Sequence, residues 1–591
     1  MFEQSTARPI ALGARASRRT AGRLPLRIRI SPMTALWVVI IAILVLPIAV
    51  FLTLAIAPAL LDQGTSWFSL SAFADALSGQ TLVGFADSTA VGLVASVSAT
   101  AVGTGLAWVV ARTNATARRV ATGLVFALFL TPSYLIALGW ERLLEPNGVL
   151  QVLGADPAPL RSVIYGPVGV ALVLAVKGVP FAYLSAGNAL AGLGREYEDA
   201  VRVHGGRPGR AIVVALTLIA PAIWSSLAIV FAESVSDYGV AATLANAAHF
   251  PVATYTLYLA VQAFPVNFPL ASAVSWLLLA LIVLALALQR RALGRRGFEV
   301  LSARTRTGRR TRLSPGGQAV WLVALTALTL TSLGVPTVGA ISASLIDGLG
   351  SITASHTWGF ANYARVLHSP DLGGPLVFST VIAAIVASIA VVLAVVCARV
   401  LAKQNQTAGG RVLDSVLLAA VALPGIVFAA GYIFTFNLPF MNTLGIKLYG
   451  TTALLGLAYL ATALPSTTRL LVGAMAQLQR SMAESARAHG ANGMRAWWGI
   501  TVPMLARPIL SAWLLTYAGT LLELPVSQLL APAGTMPVAV GIQNALGRYD
   551  FGGGTAMEVM AILSALVVVA IGYGGYALFA PAGWKRIGAT R

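Results

Sequence analysis

Residues 376–399, LVFSTVIAAIVASIAVVLAVVCAR, contain no charged side chain before Arg399. The hydrocarbon core of a bilayer is about 30 Å thick, and about 20 apolar residues in a helix cross it. Because lipid offers no hydrogen-bond partner, such a run must form a helix whose backbone groups are satisfied internally. This stretch therefore predicts a transmembrane helix.

The rest of the chain has the same character. Of 591 residues, 57% are hydrophobic and 10% are charged, whereas soluble domains carry about 25% charged residues. The predicted spans are 37–60, 88–111, 121–140, 163–186, 212–235, 270–289, 320–344, 376–399, 412–434, 451–472, 506–530 and 557–580. The composition predicts an all-α polytopic membrane protein with twelve transmembrane helices.

The net charge of +20 follows the spans and is not concentrated in one soluble domain. With the N-terminus placed in the cytoplasm, the inner segments hold 31 Lys and Arg residues and the outer loops hold 5. This is the positive-inside pattern, and it predicts that both termini are cytoplasmic. It also argues against a nucleic-acid partner. The first apolar run is too long for a signal-peptide core, so we expect a retained helix.

Landmarks of the first half recur in the second at similar spacing, which indicates an internal repeat. They are Pro132, Gly139, Trp140, Pro180 and Gly205 in the first half, and Pro424, Gly431, Tyr432, Pro465 and Gly490 in the second. Since each half has an even number of predicted spans, the two copies have the same orientation. The pattern predicts two parallel six-helix repeats, related by an axis along the membrane normal.

The repeat divides the chain into five predicted regions. A basic cytoplasmic tail, 1–36, precedes the first six-helix half, 37–289. A cytoplasmic linker, 290–319, carries nine arginines and leads to the second half, 320–580. The segment 581–591 forms a cytoplasmic C-terminal tail.

Between the fourth and fifth spans of each half lies a predicted cytoplasmic loop. In the second half, Glu484-Ser485-Ala486 is followed after three residues by Gly490, and after nine more by Ile500-Thr-Val-Pro503. These residues favour a short helix, and the glycine favours a turn at its end. The matching residues of the first half are Asp199, Ala200 and Gly205, but Leu218 stands where the proline is expected.

This pair of loops resembles the motif of ABC importer permeases, which is Glu-Ala-Ala, three residues, Gly, nine residues, then Ile, one residue and Leu-Pro. The resemblance implies the type I ABC importer permease fold, in a bacterial cytoplasmic (inner) membrane. It also implies that each loop is a coupling helix that docks on an ATPase subunit. The expected partners are two copies of an ABC ATPase, a periplasmic or lipid-anchored substrate-binding protein, and membrane lipid.

The chain itself lacks the features of an ATPase. None of its four lysines lies in the Gly-Lys-Ser/Thr context of a phosphate-binding loop. We therefore expect a transport subunit that is not an enzyme and holds no cofactor or metal, with ATP and magnesium bound on the partner ATPase.

Ionisable residues inside spans are costly and usually mark a pathway or a pairing. Here they are Lys177, Glu233, Asp237, Glu523 and Glu558. The first four are the predicted translocation-pathway residues. Asp237 and Glu523 hold matching positions just after the fifth span of each half, so they line a cation route or gate, or else accept backbone hydrogen bonds where the helix breaks.

Two fused halves of this length are similar to the iron(III) permeases, and iron(III) is the expected substrate. The segments 231–239 and 523–532 add to this resemblance. Related fused permeases that import thiamine, 2-aminoethylphosphonate or another small solute remain alternatives. An ion-coupled secondary transporter also explains the span count and the repeat, but it does not predict the paired loops.

Overall fold

Long apolar segments dominate the architecture, because in lipid only a helix satisfies its own backbone. The computed structural model describes residues 32–60, 67–194, 196–206, 208–293, 310–350, 356–404, 408–478 and 480–581. Within these ranges, the helices long and apolar enough to cross a membrane are Met33–Thr53, Gly79–Arg112, Pro167–Gly192, Phe268–Ala292, Pro315–Leu345, Pro370–Ala402, Thr452–Ala476, Gly493–Leu521 and Phe551–Phe579.

Three more spans are each made of two helices that meet at a sharp bend. They are Arg118–Leu130 with Ser133–Val152 at 98°, Gly209–Leu218 with Ala220–Ser236 at 61°, and Ala408–Val421 with Gly425–Asn437 at 103°. When each bent pair counts as one span, the described residues contain twelve spans, as the sequence predicts. We number them first to twelfth in chain order, so the bent spans are the third, fifth and ninth.

The predicted spans 121–140, 212–235 and 412–434 are each broken into two helices, and the breaks have local causes. In the third and ninth spans the second helix begins directly after Pro132 or Pro424. Proline has no N–H to continue a helix, and it disfavours helical geometry in the residue before it. In the fifth span the break lies at Ile219, and Pro221 occupies the first turn of the next helix.

Shorter elements connect the spans. The short helices are Ser71–Ala76, Ala158–Ile164, Glu196–Val203, Ala253–Gln262, Ala361–His368, Pro439–Thr443, Arg480–Ala488, Pro525–Leu530 and Val538–Gly547. Strands Ile346–Asp347 and Thr357–Trp358 pair antiparallel.

The first helix of each half packs against the other half, on the third span or on its counterpart, the ninth. In the third span, Gly139 lies so close to Pro336 of the seventh span that an added Cβ would be 2.3 Å from the Pro336 carbonyl oxygen. In the ninth span, Gly431 contacts Pro47 of the first span in the same way, with the Pro47 oxygen 2.9 Å from an added Cβ. The repeated glycines are therefore close-approach positions that join the halves.

The aromatic residues beside these glycines form hydrogen bonds to the first helix of the other half. Trp140 Nε1 donates to the Thr331 carbonyl oxygen at 3.2 Å, and Tyr432 Oη donates to the Ile43 carbonyl oxygen at 2.9 Å. Both acceptors lie in π-helical turns, Leu330–Gly334 and Ile41–Val45, where the backbone is wound more widely than in an α-helix. The two halves interlock through equivalent contacts.

Candidate functional site

A cavity of about 490 Å³ lies between the two halves. Its walls come from the breaks of the third and ninth spans, the middles of the fourth and tenth, and the ends of the fifth and eleventh. Polar and charged residues in the walls are Ser133, Tyr134, Lys177, Glu233, Ser236, Asp237, Tyr238, Thr462, Ser466, Thr516, Thr520 and Glu523. All four residues predicted for a pathway line this cavity.

Asp237 and Glu523 each cap the helical segment that follows their span. The Glu523 carboxylate accepts from the backbone N–H of Val526 at 3.0 Å and of Ser527 at 3.1 Å, and so caps the helix Pro525–Leu530. Asp237 Oδ1 accepts from the Val240 N–H at 2.7 Å. Both acids border the cavity, and both accept backbone hydrogen bonds at a helix break, as the second of the two alternatives predicts.

Within the described residues Lys177 forms hydrogen bonds to backbone oxygens and no ion pair with an acid. Its Nζ donates to three carbonyl oxygens at the bend of the third span: Leu128 at 3.3 Å, Phe129 at 3.1 Å and Thr131 at 2.7 Å. These carbonyls end the helix Arg118–Leu130, where the helix dipole is negative. An ammonium group has three donors, and here all three are used.

Glu233 differs from the other charged groups of the cavity. Its side chain is exposed to the cavity, one helical turn before Asp237. Among the residues that the structure describes, none forms a hydrogen bond or ion pair with its carboxylate, although Lys177 and Asp237 act on it electrostatically. The matching position of the second half is Gly519, which also lines the cavity and is exposed.

The cavity opens toward the side of the molecule that carries the loops between the fourth and fifth spans. The residues next in sequence to the capping acids, Tyr238 and Leu524, are buried. One turn earlier on the same helices, Glu233 and Gly519 are exposed. Ser466 of the tenth span, which runs in the opposite direction, is also exposed. All three exposed positions lie on the loop side of the capping acids.

Sequence reasoning missed a group of tyrosines around the closed end of the cavity. Tyr134, Tyr238 and Tyr459 are each at least 98% buried. Tyr459 Oη lies 2.6 Å from Ser527 Oγ, and Ser527 also donates to the Glu523 backbone oxygen. Two of these tyrosines lie close in sequence to a residue that the sequence analysis singles out, since Tyr134 comes two positions after Pro132 and Tyr238 follows Asp237. That proximity was the available signal.

Glu558 lies outside the cavity, in a buried charge cluster where the halves meet. Arg142 is 3% exposed and its Nη1 lies 2.5 Å from Glu145 Oε2. Its guanidinium sits 4.4 Å from the centre of the Phe551 ring, and it acts electrostatically on Glu558. The cluster thus connects the third span of the first half to the twelfth span of the second.

The two predicted loops contain equivalent short helices. In the second half, Arg480–Ala488 is followed by Gly490 with φ +83°, and in the first half, Glu196–Val203 is followed by Gly205 with φ +71°. Each glycine has the left-handed conformation that ends a helix with a sharp turn. The repeat is therefore preserved in the loops despite the weaker sequence match of the first.

The surfaces of the two loop helices agree with a docking element as far as they are described. Glu484, Ser485, Gly490 and Ala200 are exposed, and Ala486 is half-buried. The Asp199 side chain lies outside the described residues. In each copy the histidine before the glycine bonds to the helix, His204 Nδ1 to the Ala200 oxygen and His489 Nδ1 to the Ser485 oxygen, both at 2.8 Å. These ring contacts stabilise the helix ends.

Comparisons with known proteins identify a matching family model and several relatives. A family model described as the binding-protein-dependent transport system inner membrane component matches residues 390–584. The ferric transport system permease protein FbpB of Actinobacillus pleuropneumoniae is 21% identical over 475 residues, which is 79% of this chain and 67% of that protein. A putative ferric transport system permease protein FbpB 1 of Haemophilus influenzae is 21% identical over 440 residues, 73% of this chain and 68% of that protein.

A relative that matches a smaller part of the chain acts on an anion. The sulfate transport system permease protein CysT of Escherichia coli is 26% identical over 219 residues, 37% of this chain and 74% of that protein. The fold, the paired loops and these matches agree. The apolar helices make the chain a multi-pass membrane protein. Its second half matches the domain of binding-protein-dependent transport systems, and its similarity to the ferric transport permeases extends over most of its length.

Proposed function

We propose that this chain is the membrane subunit of an ATP-driven importer of iron(III). The support for the substrate is twofold. Relatives named as ferric transport permeases align over most of the chain, and the cavity contains three carboxyl groups and one ammonium group. An acidic cavity suits a cationic cargo better than an anionic one.

The single observation that carries the ATP-driven mechanism is the pair of loop helices. They occupy equivalent places in the two halves, each ends at a left-handed glycine, and both lie on the side to which the cavity opens. Two ATPase subunits docked on Glu196–Val203 and Arg480–Ala488 would pull both halves when ATP closes them. Coupling then follows because ATP and the loaded binding protein favour different states of the permease.

The orientation that fits this mechanism places both termini and both loop helices in the cytoplasm of a bacterium, with the chain in its inner membrane. We propose the same domain limits as the sequence predicts: tail 1–36, first half 37–289, linker 290–319, second half 320–580 and tail 581–591. In this orientation the described conformation faces the cytoplasm. A substrate-binding protein, periplasmic or lipid-anchored, would deliver its cargo on the opposite side.

In this proposal the chain contributes no catalytic residue. ATP and magnesium bind to two copies of a separate ATPase, and closure of that pair rocks the halves about the interlocked contacts of Gly139 and Gly431. The cavity then opens outward, receives the cargo between Asp237 and Glu523, and returns it to the cytoplasm after hydrolysis. Glu233 and Lys177 border the same path.

The test is gentle purification from native membranes, followed by mass spectrometry of the proteins that accompany the chain. We expect about two copies of an ATPase with a phosphate-binding loop per chain, and a binding protein that is released with iron(III). A chain that purifies alone and drives uptake without ATP would refute the proposal and establish the ion-coupled secondary transporter. A binding protein loaded with thiamine or 2-aminoethylphosphonate would refute iron(III) alone.

A further inference from the structure

The charged groups of the cavity differ in what they are free to do. Asp237 and Glu523 hold backbone N–H groups at the starts of helical segments. Lys177 uses its three donors on the carbonyls that end the helix Arg118–Leu130. A group already bound in this way cannot turn toward a passing solute without leaving a backbone partner unsatisfied, which is costly in a membrane. These three groups shape the walls.

Glu233 is the exception among the described charged residues of the cavity. Its carboxylate is exposed to the space and has no hydrogen-bond or ion-pair partner in the described part of the chain. It also lies between the capping acids and the open mouth, so a solute leaving toward the loop helices must pass it. A carboxylate with unused acceptor sites can bind a cation or its water shell.

We infer that Glu233 is the specificity-determining residue of the pathway and that it selects a positively charged substrate. This inference rests on the proposed function and narrows it. A sulfate ion would meet a negative charge that has no hydrogen-bond or ion-pair partner in the described residues, whereas a ferric species would be attracted. The relatives in sulfate transport and in ferric transport would then differ at this position of the cavity, not in their architecture.

A single carboxylate binds a metal ion weakly, and weak binding suits a residue that the substrate passes during transport. Within the described residues, no group of three or more His, Cys, Asp or Glu is placed to hold a metal ion. A pathway must attract its solute yet release it, so it uses few and weak contacts. One free carboxylate near the exit provides attraction without a complete ligand set.

The structure also offers a position to which this charge can be moved. Gly519 is the counterpart of Glu233 across the pseudo-two-fold axis, and it lines the same cavity. A Cβ added at Gly519 would meet no atom within 4 Å. A side chain therefore fits there, and Gly519→Glu would place a carboxylate on the opposite wall of the same space.

The experiment uses the complete complex of permease, ATPase and binding protein in proteoliposomes, with radioactive iron(III) loaded on the binding protein. Iron uptake and ATP hydrolysis are measured together. We expect Glu233→Gln to lower iron uptake per ATP hydrolysed about tenfold, which corresponds to about 1.4 kcal/mol, with stimulation of ATP hydrolysis retained. Adding Gly519→Glu to Glu233→Gln should restore most of the uptake, and adding Gly519→Gln, of equal size but neutral, should not.

Three results would overturn the inference alone: unchanged uptake in Glu233→Gln, equal rescue by Gly519→Gln, or no rescue by Gly519→Glu while the loaded binding protein still stimulates ATP hydrolysis. Failure of the proposed function appears elsewhere, in the unmodified complex. If that complex shows no ATP-dependent iron uptake, the proposed function fails and the inference fails with it.

Discussion

Replacement of Lys177 by methionine tests whether this residue holds the bend of the third span. Its Nζ donates to the Leu128, Phe129 and Thr131 oxygens. A hydrogen bond to a charged group contributes about 1.5–3 kcal/mol. The bond to Phe129 is exposed, and water from the cavity replaces it, so its loss does not lower the stability of the bend. The two part-buried bonds at the lower figure amount to about 3 kcal/mol.

The assay is thermal unfolding of the purified chain in detergent, followed by size-exclusion chromatography of the heated samples. We expect Lys177→Met to unfold at a clearly lower temperature than the unmodified chain. The matched control is Thr462→Val, at the equivalent position of the tenth span, where the hydroxyl's partners among the described residues are carbonyls of its own helix. It should unfold close to the unmodified chain. Equal unfolding temperatures for Lys177→Met and the unmodified chain would refute the capping role.

Further predictions concern the loop and the contacts between halves. Gly490→Pro should abolish ATPase binding in a pull-down while the chain still inserts, whereas Gly490→Asn should retain it, because asparagine tolerates the left-handed conformation; normal uptake in Gly490→Pro would contradict the docking role. Arg142→Met should destabilise the chain by about 3–5 kcal/mol, because it leaves buried carboxylates unpaired; an unchanged unfolding temperature would contradict this. Tyr432→Phe should cost about 1–3 kcal/mol in the same thermal assay, and no cost would show that its bond to Ile43 contributes nothing.

The sequence predicted what depends on periodicity and spacing. Apolar runs of about 20 residues gave the spans, and repeated prolines and glycines gave the two halves and both loop helices. The bends of the third and ninth spans were not predicted, although Pro132 and Pro424 were noted as landmarks. A proline inside an apolar run is compatible with a kinked helix or with a complete break, and only the packing of the second helix on the opposite half decides between them.

The partners of charged side chains also escaped prediction. The sequence does not identify a partner for Lys177, although ionisable residues in a span usually mark a pathway or a pairing. Its partners are backbone oxygens that become available only because the third span breaks beside it. The sequence also does not predict that the first helix of each half packs against the other half. Gly139 and Pro336 are far apart along the chain, and their contact depends on how the halves pack together.

The fusion of two halves explains how the cavity can be asymmetric while the fold is not. In a symmetric pair of identical chains, every residue near the axis occurs twice, so an acid at the Glu233 position would face its own copy across the cavity. Here the counterpart is Gly519, and the counterpart of Lys177 is Thr462. A single chain can therefore hold this carboxylate in the pathway without a second copy of the same charge facing it across the cavity. Each half keeps an acid at the capping position, Asp237 in the first and Glu523 in the second, because both helical segments need a cap. At these positions the halves differ where a side chain faces the cavity without supporting backbone in both halves, and they agree where it caps a helical segment.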